Sequence, residues 1–109
     1  MKDTISKIEE RIRGAGALNE ENRAELLQLL GELKSQIGTL SETNREQAQS
    51  IAGFTEVSAH EATREEKNAK SLKHSTLGLE SSVHNLEGSH PQLVAVVNRI
   101  ATLLANMGI

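Results

Sequence analysis

Cysteine, tryptophan and tyrosine are missing from this 109-residue chain, and one phenylalanine, Phe54, supplies all of its aromatic volume. Without cysteine there can be no disulfide, no thiolate nucleophile and no Cys-containing metal site. With one ring there is no stacking platform for single-stranded nucleic acid, and the core must be built from aliphatic side chains. Proline occurs once, at Pro91, and no Val/Ile/Thr-rich alternating run is present, which leaves little from which to build strands. The net charge of −3 exerts no long-range pull on polyanions. No apolar run is both long enough and free enough of charge to cross a bilayer, since Leu93 to Met107 is short and holds Asn98 and Arg99. "MKDTISKIEERIRG" has neither an apolar core nor a small-residue cleavage site, so it does not read as a signal peptide, and a cytoplasmic protein is expected.

What is present has helical periodicity throughout. Ile5, Ile8 and Ile12 recur at i, i+3 and i+7, and "GAG" at 14–16 ends a short first helix of about residues 3–13. Asn19 is a suitable N-cap, with Glu20 and Glu21 in the first turn against the positive end of the helix dipole. Leu26, Leu27, Leu29, Leu30, Leu33, Ile37 and Leu40 then form a wide apolar face. The seven-residue rhythm continues through Asn44, Ile51 and Ser58 on one line and Gln47, Phe54 and Glu61 on its partner line. Two structures fit this pattern. One is a single helix from about 20 to 66 with Asn44 and Gln47 as polar seam positions. The other breaks at "LSETNRE", where Thr43 to Glu46 can form a capping box. The continuous helix is favoured, because no proline or glycine pair interrupts Leu40 to Arg64.

Beyond Ala62 the apolar face lapses, so a turn near Asn68 and a returning helix of about 70–87 are expected, lined by Leu72, Leu79, Val83 and Leu86. Gly88 and Pro91 separate it from a last helix of about 91–107, with proline at the first helical position. Leu93, Val96, Val97, Ile100, Leu103, Leu104 and Met107 make that helix apolar over so much of its circumference that it must be enclosed. Gly108 in a C′ role would return Ile109 onto the last turn. The expected fold is one all-α domain: a helical bundle with a long second helix, a helical hairpin and a buried C-terminal helix, paired as a coiled-coil-like dimer.

Candidate chemistry is sparse. "HEATR" at His60–Arg64 approaches the H-E-x-x-H zinc motif, but a cation stands where the second imidazole belongs, and a solvated helix face explains it better. His74, His84 and His90 are too widely spaced to share a helix face. Arg64, Lys67, Lys70 and Lys73 recur every third residue, yet Glu66 and Lys70 make an i,i+4 pair and Glu61, Glu65 and Glu66 dilute the patch. No catalytic residue, cofactor or metal site is therefore assigned. Leu30, Leu33, Ile37, Leu40, Ile51, Phe54 and Val57 are the candidate interface, and the expected function is a non-enzymatic, self-associating interaction or scaffold module with an unknown protein as a further partner. Two alternatives are a bundle holding a metal or small apolar ligand through His60, His74, His84 or His90, and a weak nucleic-acid-binding regulator using Arg64 to Lys73.

In "FTEVSAHEATREEKN", "GLESSV" and "SHPQLVAVVNRIATLLANMGI" the sequence resembles a family of small bacterial proteins known as domain of unknown function four-four-zero-four. Its most recognisable part is the His90-Pro91 step followed by an apolar helix ending in Gly108-Ile109; Leu26 to Leu40 is a looser match. The chain departs from the family pattern at Leu86-Glu87, in place of Phe-Glu, and at Ala69, in place of proline. The resemblance implies a helical fold and no particular activity.

Overall fold

A computed structural model describes residues 2–16 and 18–107. Among these residues five α-helices follow one another: α1 (Lys2–Gly14), α2 (Glu20–Thr43), α3 (Arg45–Thr63), α4 (Ala69–Ser82) and α5 (Pro91–Met107), with a 3-10 turn at His84–Leu86 between the last two. Among the described residues there is no strand. The expectation of an all-α bundle holds.

Local chemistry sets most boundaries. The Asn19 side chain accepts from Asn22 N at 2.7 Å to open α2, and Asn68 accepts from Ser71 N at 3.0 Å to open α4. Ala69, the first residue of α4, occupies the N1 position that proline also suits. Pro91 takes that position in α5. The returning helix expected over 70–87 is shorter, because it gives way after Ser82 to Val83 and the 3-10 turn.

The expected 20–66 helix is corrected to two helices. Asn44 has φ −148° and ψ 80°, donates its N–H to Leu40 O at 2.8 Å, and with its side chain accepts from Gln47 N at 3.2 Å. Its amide also donates to Gln47 Oε1 at 3.0 Å. One asparagine thus ends α2 and caps α3. Asparagine can do this without glycine or proline because its side chain offers the backbone an alternative to the helical ladder. An unbroken helix would extend about 70 Å, whereas the molecule is 37 Å in its longest dimension. The break is what lets one chain enclose its own aliphatic residues.

The core runs through all five helices: Ile5, Ile8 and Ile12 of α1, Leu26, Leu29, Leu30, Leu33, Ile37 and Leu40 of α2, Ile51 of α3, Leu72 and Leu79 of α4, and Leu93, Val97, Ile100 and Leu104 of α5 are buried. The last helix packs against α2, α3 and α4, with Val96, Leu103 and Met107 partly buried at its margins, but it is not enclosed as expected: Gln92, Ala95, Asn98, Arg99, Thr102 and Asn106 leave one side exposed. Gly108 and Ile109 lie outside the described residues. Helices α3 and α4 pack closely, and Thr55, Ser58, Ala59 and Ala62 of the first and Ser75 and Thr76 of the second are small and buried. The Thr55, Ser75 and Thr76 hydroxyls bond to carbonyls three or four residues earlier in their own helices, which allows these three into the interior, while Ser58 Oγ has no such partner.

The short α1 needs help to stay in place. Arg23 of α2 reaches back and donates to Ile12 O (2.6 Å), Arg13 O (2.9 Å), Ala15 O (2.9 Å) and Leu18 O (3.2 Å). These are carbonyls left over at a helix end and in the turn that follows it. Glu9 of α1 also pairs with Lys34 of α2.

Candidate functional site

The interface residues expected from sequence separate into two groups. Leu30, Leu33, Ile37 and Leu40 of α2 and Ile51 of α3 are all buried within the single chain. They are a core and cannot be a seam between chains, which corrects the expectation for these five. The reason is the Asn44 break: it folds the second half of the heptad line back onto the first, so residues that would have faced a second chain face their own. Ala52 and Ala59 of α3 likewise point inward. Phe54 and Val57 remain outside, 40% and 49% exposed.

The position of Phe54 is unusual in a chain with no other ring to bury. Its side chain lies across α4 at Gly78, where an added Cβ would come within 2.5 Å of Phe54 Cε1. Gly78 therefore makes room for a ring that packs on α4 and stays partly in solvent. Below it, a cleft of about 560 Å³ is lined by Asn44, Gln47, Gly78, Ser82 and Asn85 among others. Gln47 Nε2 donates there to Asn85 Oδ1 at 2.7 Å and Ser82 O at 3.0 Å, joining the α2–α3 break to the end of α4.

On the other side of α3, Lys7, Ile8 and Arg11 of α1 and Glu56, Val57 and His60 of α3 line a groove of about 390 Å³. Arg11 donates from Nε to Thr63 Oγ1 at 2.9 Å and from Nη2 to His60 Nδ1 at 3.0 Å. A guanidinium has no acceptor, so in this arrangement His60 Nδ1 is the acceptor and the ring proton sits on Nε2. Glu61 is nearly buried and bonds Arg64 Nη1 at 3.1 Å, fixing the end of α3.

The outward line of α3 consists of Glu46, Ser50, Gly53, Val57 and His60, continued at the C-cap by Arg64. Their spacing of 4, 3, 4, 3 and 4 keeps them within an arc of about 80° at 3.6 residues per turn. None of the six is buried. The line was legible in the sequence, but a search for apolar heptads passes over it because only Val57 is apolar. Gly78 and Arg11 carried no local signal, since their roles depend on a neighbouring helix.

The histidines are distributed as their spacing suggests, with His60 on α3, His74 on α4, His84 in the 3-10 turn and His90 just before α5. Among the described residues no three His, Asp or Glu side chains meet closely enough to hold a metal ion. Of the basic run, Arg64 is engaged by Glu61, and Lys67 Nζ donates to Met107 O at 2.9 Å, at the C-terminal end of α5.

With this geometry in place, a comparison with known families matches residues 26–109 to Domain of unknown function (DUF4404). The chain belongs to that family. The match takes in the whole of α3, α4 and α5 and most of α2, and stops short of α1. Among curated proteins and solved structures, nothing matches this chain. No helix among the described residues is long and apolar enough to cross a membrane.

Proposed function

We propose that this protein is a non-enzymatic interaction module whose contact surface is the outer face of α3. The observation that carries this reading is Phe54: the only aromatic residue is held 40% exposed, over a glycine that clears space for it, instead of filling the core. Aromatic side chains dominate contact energies at protein interfaces, and placing one outside costs the fold a core anchor. Val57, 49% exposed one turn further along, extends the apolar surface. The grooves on either side are open and shallow, suited to the ridge of a partner and poorly suited to excluding water from a reaction.

A photo-reactive side chain placed at Val57 tests this, with the same group at Leu77 as the control. Leu77 is equally exposed, at 49%, but lies on α4. Cross-linked adducts in native cell extract are expected from position 57 and not from 77. Equal adducts from both, or none from 57, would refute the assignment. Phe54→Ala is expected to weaken the same adducts while leaving the helical circular dichroism unchanged.

A further inference from the structure

We propose that the partner of this face is a second copy of the chain, docked antiparallel on α3 with a two-fold axis at the level of Thr55. This rests on the reading of α3 as a contact surface and identifies what occupies it. The outward line Glu46, Ser50, Gly53, Val57, His60, Arg64 is symmetric in position about residue 55 and complementary in chemistry about the same point. Running a second α3 in the opposite direction sets Glu46 against Arg64 of the second copy, Ser50 against its His60, and Gly53 against its Val57. Each pairing occurs twice.

All three pairings are chemically productive. Glu46 and Arg64 have opposite charge, and the guanidinium that gives one N–H to Glu61 at 3.1 Å has other donors left for a carboxylate outside. His60 keeps its Nδ1 occupied by Arg11 at 3.0 Å, so its Nε2–H is the group that can donate to a serine hydroxyl. Around Gly53 there is open space, with nothing within 4 Å of where a Cβ would stand. A valine of the second copy fits there as a knob enters a hole. The same two-fold brings both Phe54 side chains to one edge of the seam, offset by two residues or about 3 Å along the axis. Each exposed ring then finds the other.

A parallel arrangement fails on the same residues. It would set Glu46 against Glu46, Arg64 against Arg64 and Gly53 against Gly53, with repulsion at both ends and a gap in the middle. One helix face is smaller than the roughly 800 Å² per partner of a standard interface, so the dimer is weak and its dissociation constant lies in the micromolar range or above.

Sedimentation equilibrium of the full chain across micromolar to millimolar concentration tests this with charge reversals. Glu46→Arg and Arg64→Glu alone should each weaken association on the order of tenfold, because each places two like-charge contacts in the dimer. An equimolar mixture of the two variants should associate as well as the native chain, since the heterodimer regains opposite charges at both ends. Gly53→Gln provides a variant that disturbs no ion pair: it should melt higher than the native chain, through loss of a helix-interior glycine, while losing the dimer. A chain that stays monomeric at the highest concentration, reversals without effect, a mixture no better than its components, or a Gly53→Gln dimer of native strength would each overturn the proposal. A strict monomer whose position 57 still cross-links to a different protein would overturn the second copy alone and leave the contact surface on α3 standing.

Discussion

Replacing Arg23 with methionine tests how the first helix is held. The side chain is only 16% exposed and its two terminal nitrogens serve four carbonyls of the α1–α2 connection. Methionine keeps most of the aliphatic stem and removes every donor. Three of the four bonds are partly buried, and each charge-assisted bond of that kind contributes about 1 kcal/mol net once the discarded carbonyls find water. The fourth is exposed, as is the Glu20 carboxylate that pairs with Arg23 at 3.5 Å, and neither adds much. The expected loss is therefore about 3 kcal/mol, a large share of the stability of a domain this size. At about 4–8 °C per kcal/mol the melting temperature should fall by about 10–25 °C. Thermal circular dichroism reads the total, and native-state hydrogen exchange locates it: α1 amides should lose protection first, ahead of the α2–α5 core. Arg23→Lys should recover part of the loss, since an ammonium can reach some of the same carbonyls but lacks the planar fork. A methionine variant melting within about 2 °C of the native chain, with α1 protection intact, would refute the idea that this guanidinium holds the helix.

Three other outcomes follow from the packing. Ile100→Asp should abolish cooperative folding, because a carboxylate at this fully buried position on α5 has no partner and its burial costs more than the domain's stability; a normal melt would contradict the burial of this face of α5. Asn44→Ala should cost about 1–2 kcal/mol by removing the side chain that caps α3, without joining α2 to α3, and an unchanged denaturant midpoint would argue against the cap. Gly78→Ala should be close to neutral in the native chain, where the new methyl must displace the Phe54 ring, but should stabilise a Phe54→Ala background by about 1 kcal/mol. Equal effects in the two backgrounds would show that ring and glycine are independent.

Much of the architecture could be read locally. Asn19, Asn68 and Pro91 open helices where their backbone chemistry says they should, and the isoleucine triplet of α1 and the apolar breadth of α5 both report burial correctly. Asn44 could not be read that way. The same residue is a tolerated polar seam position in a long coiled coil or a double cap in a compact bundle, and its neighbours do not choose between them. That ambiguity carried over to the candidate interface: Leu30, Leu33, Ile37, Leu40 and Ile51 face a partner if the helix runs through and their own chain if it breaks. Phe54 shows the complement of this limit. Sequence marks it as the one aromatic residue, and only the position of Gly78 on another helix shows that it is kept outside.

The sequence by itself determined that this chain is helical, where four of its five helices begin and that the last of them buries a broad apolar face, because capping and amphipathic periodicity act within a few residues. The tertiary structure decided which apolar lines face inward, and so which face of α3 is left outside. Burial is a competition among surfaces distant in sequence, and a break at one asparagine changes which of them win.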